Sequence, residues 1–135
     1  MSAQRTNEII KQYWNSQHTD VSTMAEDVVF TMMATGDETR GPEAVRQMLH
    51  WFYHVAFDAR AEKSNEIIAN GQAMWEGYVV GKHIGEFAGI PATGKEFRVP
   101  LCVVYDVEDD QIERARIYFE IPALLAQLGV QMGPG

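Results

Sequence analysis

The chain has 135 residues and a formal net charge of -8, with 11 Lys and Arg against 19 Asp and Glu. Binding to a nucleic-acid backbone or an anionic membrane requires clustered basic side chains, so this charge argues against both partners. The length is typical of a single domain, and the apolar content of 46% is ordinary for a globular protein. We therefore interpret residues 1–135 as one domain.

The cysteine content and the lack of long apolar segments indicate the cellular compartment of the protein. A single cysteine, Cys102, excludes an internal disulfide framework. No apolar run approaches the roughly 18 residues that span a bilayer, and no basic segment followed by an apolar stretch opens the chain. These features predict a cytoplasmic protein.

The amino-terminal segment predicts a helix over about residues 4–17. Its apolar side chains recur at helical spacing and share one side, which should face the rest of the protein. They are Ile9, Ile10, Tyr13 and Trp14. After Asp20 we expect a short turn of helix, followed by a short strand around residues 28–33, where β-branched and aromatic side chains accumulate.

A second helix begins at Gly41-Pro42, because proline fits the first helical position, where its missing N–H costs no hydrogen bond. Its predicted core stripe consists of Val45, Met48, Leu49, Phe52 and Ala56. His50 and His54 lie one turn apart and opposite this stripe on a helical wheel. They have the spacing of a zinc pair, but no glutamate base lies between them, so we interpret them as solvated surface histidines rather than metal ligands.

Three long strands joined by hairpins form the second half of the chain. Asn70-Gly71 supplies a tight turn before the first of them, and an acidic turn at 108–110 precedes the last. Pro122 then begins a closing helix, which should stop at Gly129. The predicted strands cover about residues 73–87, 97–107 and 111–120. Helices first and strands later are typical of an α+β fold, with helices packed on a bent antiparallel sheet around one pocket.

Two features of the sequence resemble functional motifs but are interpreted as structural. Residues 89–95 imitate a phosphate-binding loop, but Glu96 stands where Ser or Thr would bind magnesium, and a strand follows instead of a helix. We interpret this segment as a Pro/Gly hairpin loop. Cys102 is expected to be a small packed residue, because no base is predicted near its thiol.

The strand at 73–87 places three glycines and His83 on one face. The glycines leave space beside His83 for a cavity, or they let the sheet bend or another backbone approach closely. The residues that share this face are Trp75, Gly77, Val79, Gly81, His83, Gly85 and Phe87.

The last strand has two different faces. If its polar face lines the pocket, Glu120 can act there as a general acid or base; otherwise the simplest role of Glu120 is an ion pair with an arginine. In either case the opposite face would leave an apolar sheet in water, so we predict a homodimer. The polar face carries Arg114, Arg116, Tyr118 and Glu120, and the apolar face carries Ala115, Ile117 and Phe119.

Residues 83–129 resemble the SnoaL-like polyketide cyclases, a branch of the nuclear transport factor 2-like superfamily. The matching stretches are 83–87, 89–95, Tyr105 before the acidic turn, 116–120 and 124–129. The resemblance implies an α+β cone-shaped barrel, in which a curved antiparallel sheet wraps around the N-terminal helices.

The resemblance also implies a reaction. Such cyclases close a ring by intramolecular aldol addition on a hydrophobic oxygenated substrate, without metal or organic cofactor, and related members isomerise or hydrolyse. Glu120 occupies the position of the family's pocket carboxylate, usually Asp, and is one methylene longer. His83 falls on the motif histidine, which would polarise a carbonyl or stabilise the enolate. The predicted substrate-binding residues are Trp14, Trp75, Phe87, Tyr105, Tyr118 and Arg116.

The alternative is a noncatalytic small-molecule-binding or dimerisation module of the same fold. In that case Glu120 would pair with Arg116, and the pocket would be filled or would hold a ligand unchanged. A pocket carboxyl without arginine contact, in a cavity of about 300 Å³ or more, would favour an enzyme.

Overall fold

A computed structural model describes residues 2–17 and 19–130 of the chain. The helices are α1 (Ala3–Asn15), α2 (Pro42–His50) and α3 (Ile121–Gln127), and α2 continues directly as a π-helical segment (Trp51–Ala56). The strands are β1 (Met24–Met32), β2 (Asp37–Arg40), β3 (Phe57–Ala69), β4 (Gln72–His83), β5 (Glu96–Glu108) and β6 (Gln111–Phe119). Among the described residues, no helix is both long enough and apolar enough to cross a lipid bilayer.

The strands form one sheet in the order β2-β1-β6-β5-β4-β3. Strands β3 to β6 pair antiparallel with their sequence neighbours, which confirms the predicted hairpins. Strand β1 lies parallel to β6, and β2 is a short polar edge strand that the sequence did not predict. Register shifts within the β3–β4 and β5–β6 pairs add local bends. The result is the predicted α+β architecture, a curved sheet wrapped around the N-terminal helices.

The inner face of the sheet is defined by β5. Its alternate residues from Phe97 to Val107 are buried, as the alternation predicts. Val103 is paired with Ile117 of β6, and Tyr105 is paired with Ala115. Directly paired residues point to the same side of a sheet, so the apolar face of β6 belongs to the core. The prediction that this face lies in water and drives dimerisation is wrong, because helices of the same chain cover it. The homodimer itself stays a prediction.

The glycines of β4 do not leave empty space beside His83. A Cβ atom on Gly81 would lie 2.6 Å from the Cα atom of Ala59 and 2.7 Å from its Cβ atom. Strand β3 therefore approaches β4 closely, which is one of the alternatives that the sequence allowed. The strand is also shorter than predicted, since it ends at His83 and Phe87 forms only an isolated bridge with Ile90.

Gly81→Ala is expected to lower the free energy of unfolding by about 3 kcal/mol, because the new methyl group would overlap the paired backbone of β3. Urea denaturation followed by circular dichroism measures this loss. Lys82→Ala, the next position in the same strand with an exposed side chain, is the control and should change the stability by less than about 0.5 kcal/mol. A loss below about 1 kcal/mol for Gly81→Ala would contradict the close approach.

Candidate functional site

An apolar cavity, the inner chamber, lies between α1, the π-helical segment and the inner face of the sheet. Its volume is about 60 Å³, which leaves room for a few water molecules. Its walls are mainly aromatic and include Trp14, Phe30, Phe52, Trp75, Tyr105 and Phe119. Of the predicted substrate-binding residues, Trp14, Trp75 and Tyr105 therefore lie where the sequence expected them. Their binding of a substrate stays a prediction.

Tyr105 lies at the centre of a cluster of aromatic rings. Its ring meets those of Tyr13, Trp14 and Phe30 edge-on, with centroid separations of 6.0, 5.9 and 6.4 Å. Edge-to-face contacts of this kind restrict the orientation of each ring. The aromatic walls of the inner chamber therefore pack against one another around Tyr105.

Phenol groups supply the polar atoms of the inner chamber. Burial raises the pKa of Tyr105, and the neighbouring indole of Trp14 opposes this shift only in part. Burial also raises the pKa of Tyr13 and Tyr53, which line the same chamber. A phenol is protonated at neutral pH with or without this shift, so each of these groups carries an O–H that can donate a hydrogen bond.

A second, more polar cavity, the outer chamber, adjoins the first. Its volume is about 370 Å³, within the range of about 300–1,000 Å³ that is typical of small-molecule sites. The two chambers share five wall residues, which are Trp14, Leu49, Tyr53, Ala61 and Trp75. The apolar chamber and the polar chamber are therefore neighbours that share part of their walls.

His50 and His54 line the outer chamber, and their rings are 5.2 Å apart. Both side chains are exposed, which confirms the expectation that they are solvated. They nevertheless line a chamber, and the helical wheel did not indicate this. The helical wheel missed this because the segment after His50 is π-helical, with Phe57 N–H donating to the carbonyl of Phe52, five residues back. No cluster of three or more metal-ligating His, Cys, Asp or Glu occurs within residues 2–17 and 19–130.

The sequence also missed the basic residues of the outer chamber. Arg46 comes from α2, four residues before His50, and Arg60 and Lys63 come from β3. Tyr53, which lines both chambers, was missed as well. Residues 46, 50 and 54 are four apart, and this spacing indicates that their side chains share one side of the helix. Nothing in the sequence, however, places β3 opposite that helix.

Glu120 does not point into the pocket, and the prediction that it does is wrong. Its side chain is exposed, it immediately precedes α3, and it lines neither chamber. The polar face of β6 is the outer face of the sheet, where Tyr118 is 45% exposed. The placement of Tyr118 and Arg116 in the pocket is wrong for the same reason. The apolar face of β6 is the one that the helices bury.

Arg116 pairs with Asp106 of β5 rather than with Glu120. Two guanidinium nitrogens donate to the two carboxylate oxygens over 2.7 and 3.2 Å. These hydrogen bonds lower the pKa of Asp106, and the carboxyl group is about two-thirds buried. Neither arrangement expected for Glu120, a pocket carboxylate or an Arg116 partner, is therefore found.

Asp106→Asn is expected to lower the free energy of unfolding by about 1 kcal/mol at pH 7. Asp106 has a lower pKa in the folded protein than its ordinary 3.8, so its contribution is complete above pH 3.8. It is lost as the pH falls through the folded-state pKa. Urea denaturation of both proteins from pH 7 to pH 2.5 should therefore show a difference that shrinks below about pH 4. A difference that stays constant over this range would contradict the ion pair.

His83 lies behind the wall of the inner chamber rather than in it. It is fully buried, and its ring is 5.3 Å from that of Phe57, which in turn contacts the wall residue Phe52 at 4.9 Å. Phe87 also lies behind Phe52, with ring centroids 6.2 Å apart. The placement of His83 and Phe87 at the pocket surface is therefore wrong, and a catalytic role for His83 stays a prediction.

The contacts of His83 suggest a structural function. Its Nδ1 atom accepts a hydrogen bond from the Thr93 N–H over 3.2 Å and lies 3.0 Å from the Thr93 hydroxyl oxygen. An Nδ1 atom that accepts from a backbone N–H carries no proton, so the ring is the neutral Nε2–H tautomer. His83 thereby anchors the loop that resembles a phosphate-binding motif.

The two features that were interpreted as structural have the expected structural context. Residues 89–95 form a loop, and the strand β5 follows at Glu96 where a phosphate-binding motif would need a helix. Cys102 is partly buried on the outer face of β5, and burial together with the charge of Glu76 raises the pKa of its thiol. A raised pKa disfavours the thiolate that a nucleophile requires.

The curved sheet, the helices inside it and the enclosed chambers define the class of fold. A protein with a ketosteroid isomerase-like fold from Catenulispora acidiphila superimposes with a TM-score of 0.72, 18% identity and coverage of 93% of this chain and 95% of that one. A proposed SnoaL-like polyketide cyclase from Jannaschia sp. gives a TM-score of 0.81 at 15% identity, over 96% of this chain and 94% of that one.

A proposed polyketide cyclase from Xanthomonas campestris gives a TM-score of 0.79 at 22% identity, over 93% and 98% of the two chains. At these identities the similarity shows a common fold. The sequence model of the SnoaL-like polyketide cyclases matches residues 4–128, so the chain belongs to that family. None of the curated proteins matches it.

Proposed function

We propose that the protein is an acid/base enzyme of the cyclase or isomerase type, which acts on a hydrophobic oxygenated substrate in its two chambers. Its membership of the SnoaL-like polyketide cyclase family supports this class of reaction. One observation carries the proposal: an aromatic cavity lined by phenols and a chamber lined by two histidines share five wall residues. Oxyanion donors and proton acceptors thus belong to one site.

The chemistry requires both kinds of group. Aldol closure and double-bond isomerisation each begin with removal of a proton α to a carbonyl, which leaves an enolate. The phenols of Tyr105 and Tyr53 donate hydrogen bonds to the enolate oxygen and to the alkoxide that forms later. Such donors act strongly because the site is apolar and already ordered. The apolar walls hold the substrate in the conformation that reacts.

Histidine is the residue type in this site that exchanges protons near neutral pH. Among the described residues, no Asp or Glu lines either chamber. We therefore assign the proton transfer to His50 and His54, in place of Glu120. Because the outer chamber adjoins the phenols through Tyr53, a substrate that spans both chambers can meet a base and an oxyanion donor together.

The test is exchange of α-protons for deuterium in D₂O, with 2-tetralone as a small bicyclic ketone, followed by proton NMR. This readout detects enolate formation before the natural substrate is identified. The protein is expected to accelerate exchange at least about a hundredfold over free imidazole at the same concentration of histidine side chains. Exchange no faster than with imidazole, despite binding of the ketone, would overturn the proposal.

A noncatalytic binding module is the second candidate. The observation that favours it is the small inner chamber, because about 60 Å³ is well below the volume of a typical ligand site. A module of this kind would bind 2-tetralone and leave its α-protons unexchanged. The same experiment therefore separates the two candidates.

A further inference from the structure

We infer that the substrate is an organic acid that binds mainly in the outer chamber. Its apolar body packs against the wall that the two chambers share, and its carboxylate lies near Arg46, Arg60 and Lys63. The inference rests on the proposed function, because it treats the two chambers as one substrate site. It adds the chemical class of the molecule that this site accepts.

The first argument is local charge. Arg46, Arg60 and Lys63 line the outer chamber, and no carboxylate does so among the described residues. The chain as a whole carries 19 acidic against 11 basic residues. The outer chamber, of about 370 Å³, thus has three cations on its wall, whereas the carboxylates that pair with them lie outside the wall. Charge of one sign concentrated in a cleft selects a ligand of the opposite sign.

The cations also retain free hydrogen-bond donors. Each of them pairs with a carboxylate that is not part of the chamber wall: Arg46 with Glu43, Arg60 with Glu62, and Lys63 with Glu66. Arg46 uses Nε and Nη2 for its pair, and Arg60 uses Nη2 alone.

Since an arginine has five N–H donors and a lysine has three, donors remain for a bound carboxylate. The ion pairs of Arg46 and Arg60 are exposed and contribute little to stability, so their geometry can change at small cost. A carboxylate can therefore join these cations without displacing a buried partner.

The position of Lys63 links the two ends of the site. Its ammonium nitrogen lies 5.2 Å from the centroid of the Trp14 ring, which lines both chambers. The positive charge is thus held at the boundary between the apolar cavity and the polar one. A ligand with a flat apolar body and a carboxylate at one end matches this arrangement, whereas a neutral ligand of the same shape leaves the cations without a new partner.

The experiment compares 2-naphthoate with its neutral isostere 2-naphthamide by isothermal titration calorimetry in a buffer of low ionic strength. The acid is expected to bind at least about tenfold more tightly than the amide. The variant Arg46→Gln/Arg60→Gln/Lys63→Gln should reduce this preference to less than about threefold and leave the affinity for the amide unchanged. The single variant Lys63→Gln should reduce it in part, which keeps the test valid if the triple variant folds poorly.

The matched control is Arg5→Gln/Arg40→Gln/Lys82→Gln. It changes the net charge by the same amount at exposed positions that line neither chamber, and it should retain the full preference for the acid. Ala61→Trp, at a wall residue shared by both chambers, should abolish binding of both probes. This variant shows whether the probes occupy the proposed site.

Each other outcome counts against a defined claim. Equal affinity for acid and amide, or a preference that survives in the triple variant, would overturn the inference and leave the proposed function standing. Binding that survives Ala61→Trp would likewise overturn it. Failure of both probes to bind the wild-type protein would remove the two-chamber site, and with it the proposed function. Preference for 2-naphthyl phosphate over 2-naphthoate by more than about tenfold would replace the carboxylate with a phosphate ester.

Discussion

The variant His50→Gln/His54→Gln is expected to exchange the α-protons of 2-tetralone at least about a hundredfold more slowly than the wild-type protein. These two histidines line the outer chamber, and the proposed function assigns the proton transfer to them. Glutamine keeps the polarity and approximate size of the side chain but accepts no proton. Proton NMR in D₂O gives the rate. The fold should be retained, because both side chains are exposed.

Glu120→Gln is the control that decides between the two candidate bases. Its carboxyl group is exposed and lines neither chamber, so the exchange rate should change by less than about twofold. The family resemblance, by contrast, makes Glu120 the acid/base group and predicts a loss of at least about a hundredfold. A large loss in Glu120→Gln together with an unchanged rate in the histidine variant would return the catalytic role to Glu120.

Tyr105→Phe is expected to slow the same exchange by about 10²–10³-fold, the usual cost of removing one oxyanion donor. The phenol is buried at the centre of the aromatic cluster, and as a neutral phenol it can donate a hydrogen bond. The enolate gains more from this hydrogen bond than the ketone does. Affinity for 2-tetralone, measured by calorimetry, should therefore change by less than about threefold while the rate falls.

Tyr118→Phe removes a phenol of the same kind from the outer face of the sheet, where the side chain is 45% exposed. It should leave both rate and affinity unchanged. If Tyr105→Phe weakens binding and exchange by the same factor, Tyr105 contributes to ligand binding and not to stabilisation of the enolate.

The errors at Glu120, Tyr118 and Arg116 have one physical origin. The alternation of polar and apolar side chains along a strand shows which residues share a face of the sheet. It does not show which of the two faces the helices cover. In β6 the polar face was assigned to the pocket because it ends at Glu120. The register with β5, in which Val103 pairs with Ile117, places the apolar face inside.

The histidines of the outer chamber illustrate a second limit. A wheel of 3.6 residues per turn describes α2, where it correctly predicted Val45 as a core residue. It does not describe the π-helical turn that follows, which closes with hydrogen bonds over five residues. The chamber also needs β3 opposite the helix, and that contact depends on packing between elements.

The sequence by itself determined the α+β class, the family, the antiparallel hairpins and the aromatic residues Trp14, Trp75 and Tyr105 of the inner chamber. These features follow from local periodicity, turn residues and short motifs, which neighbouring residues specify. Only the tertiary structure decided which face of β6 is buried and that His83 lies behind the cavity wall. It also brought the basic residues of β3 to the histidines of α2 and its π-helical extension. Those features depend on strand register and on close packing between distant segments, and no local pattern encodes either.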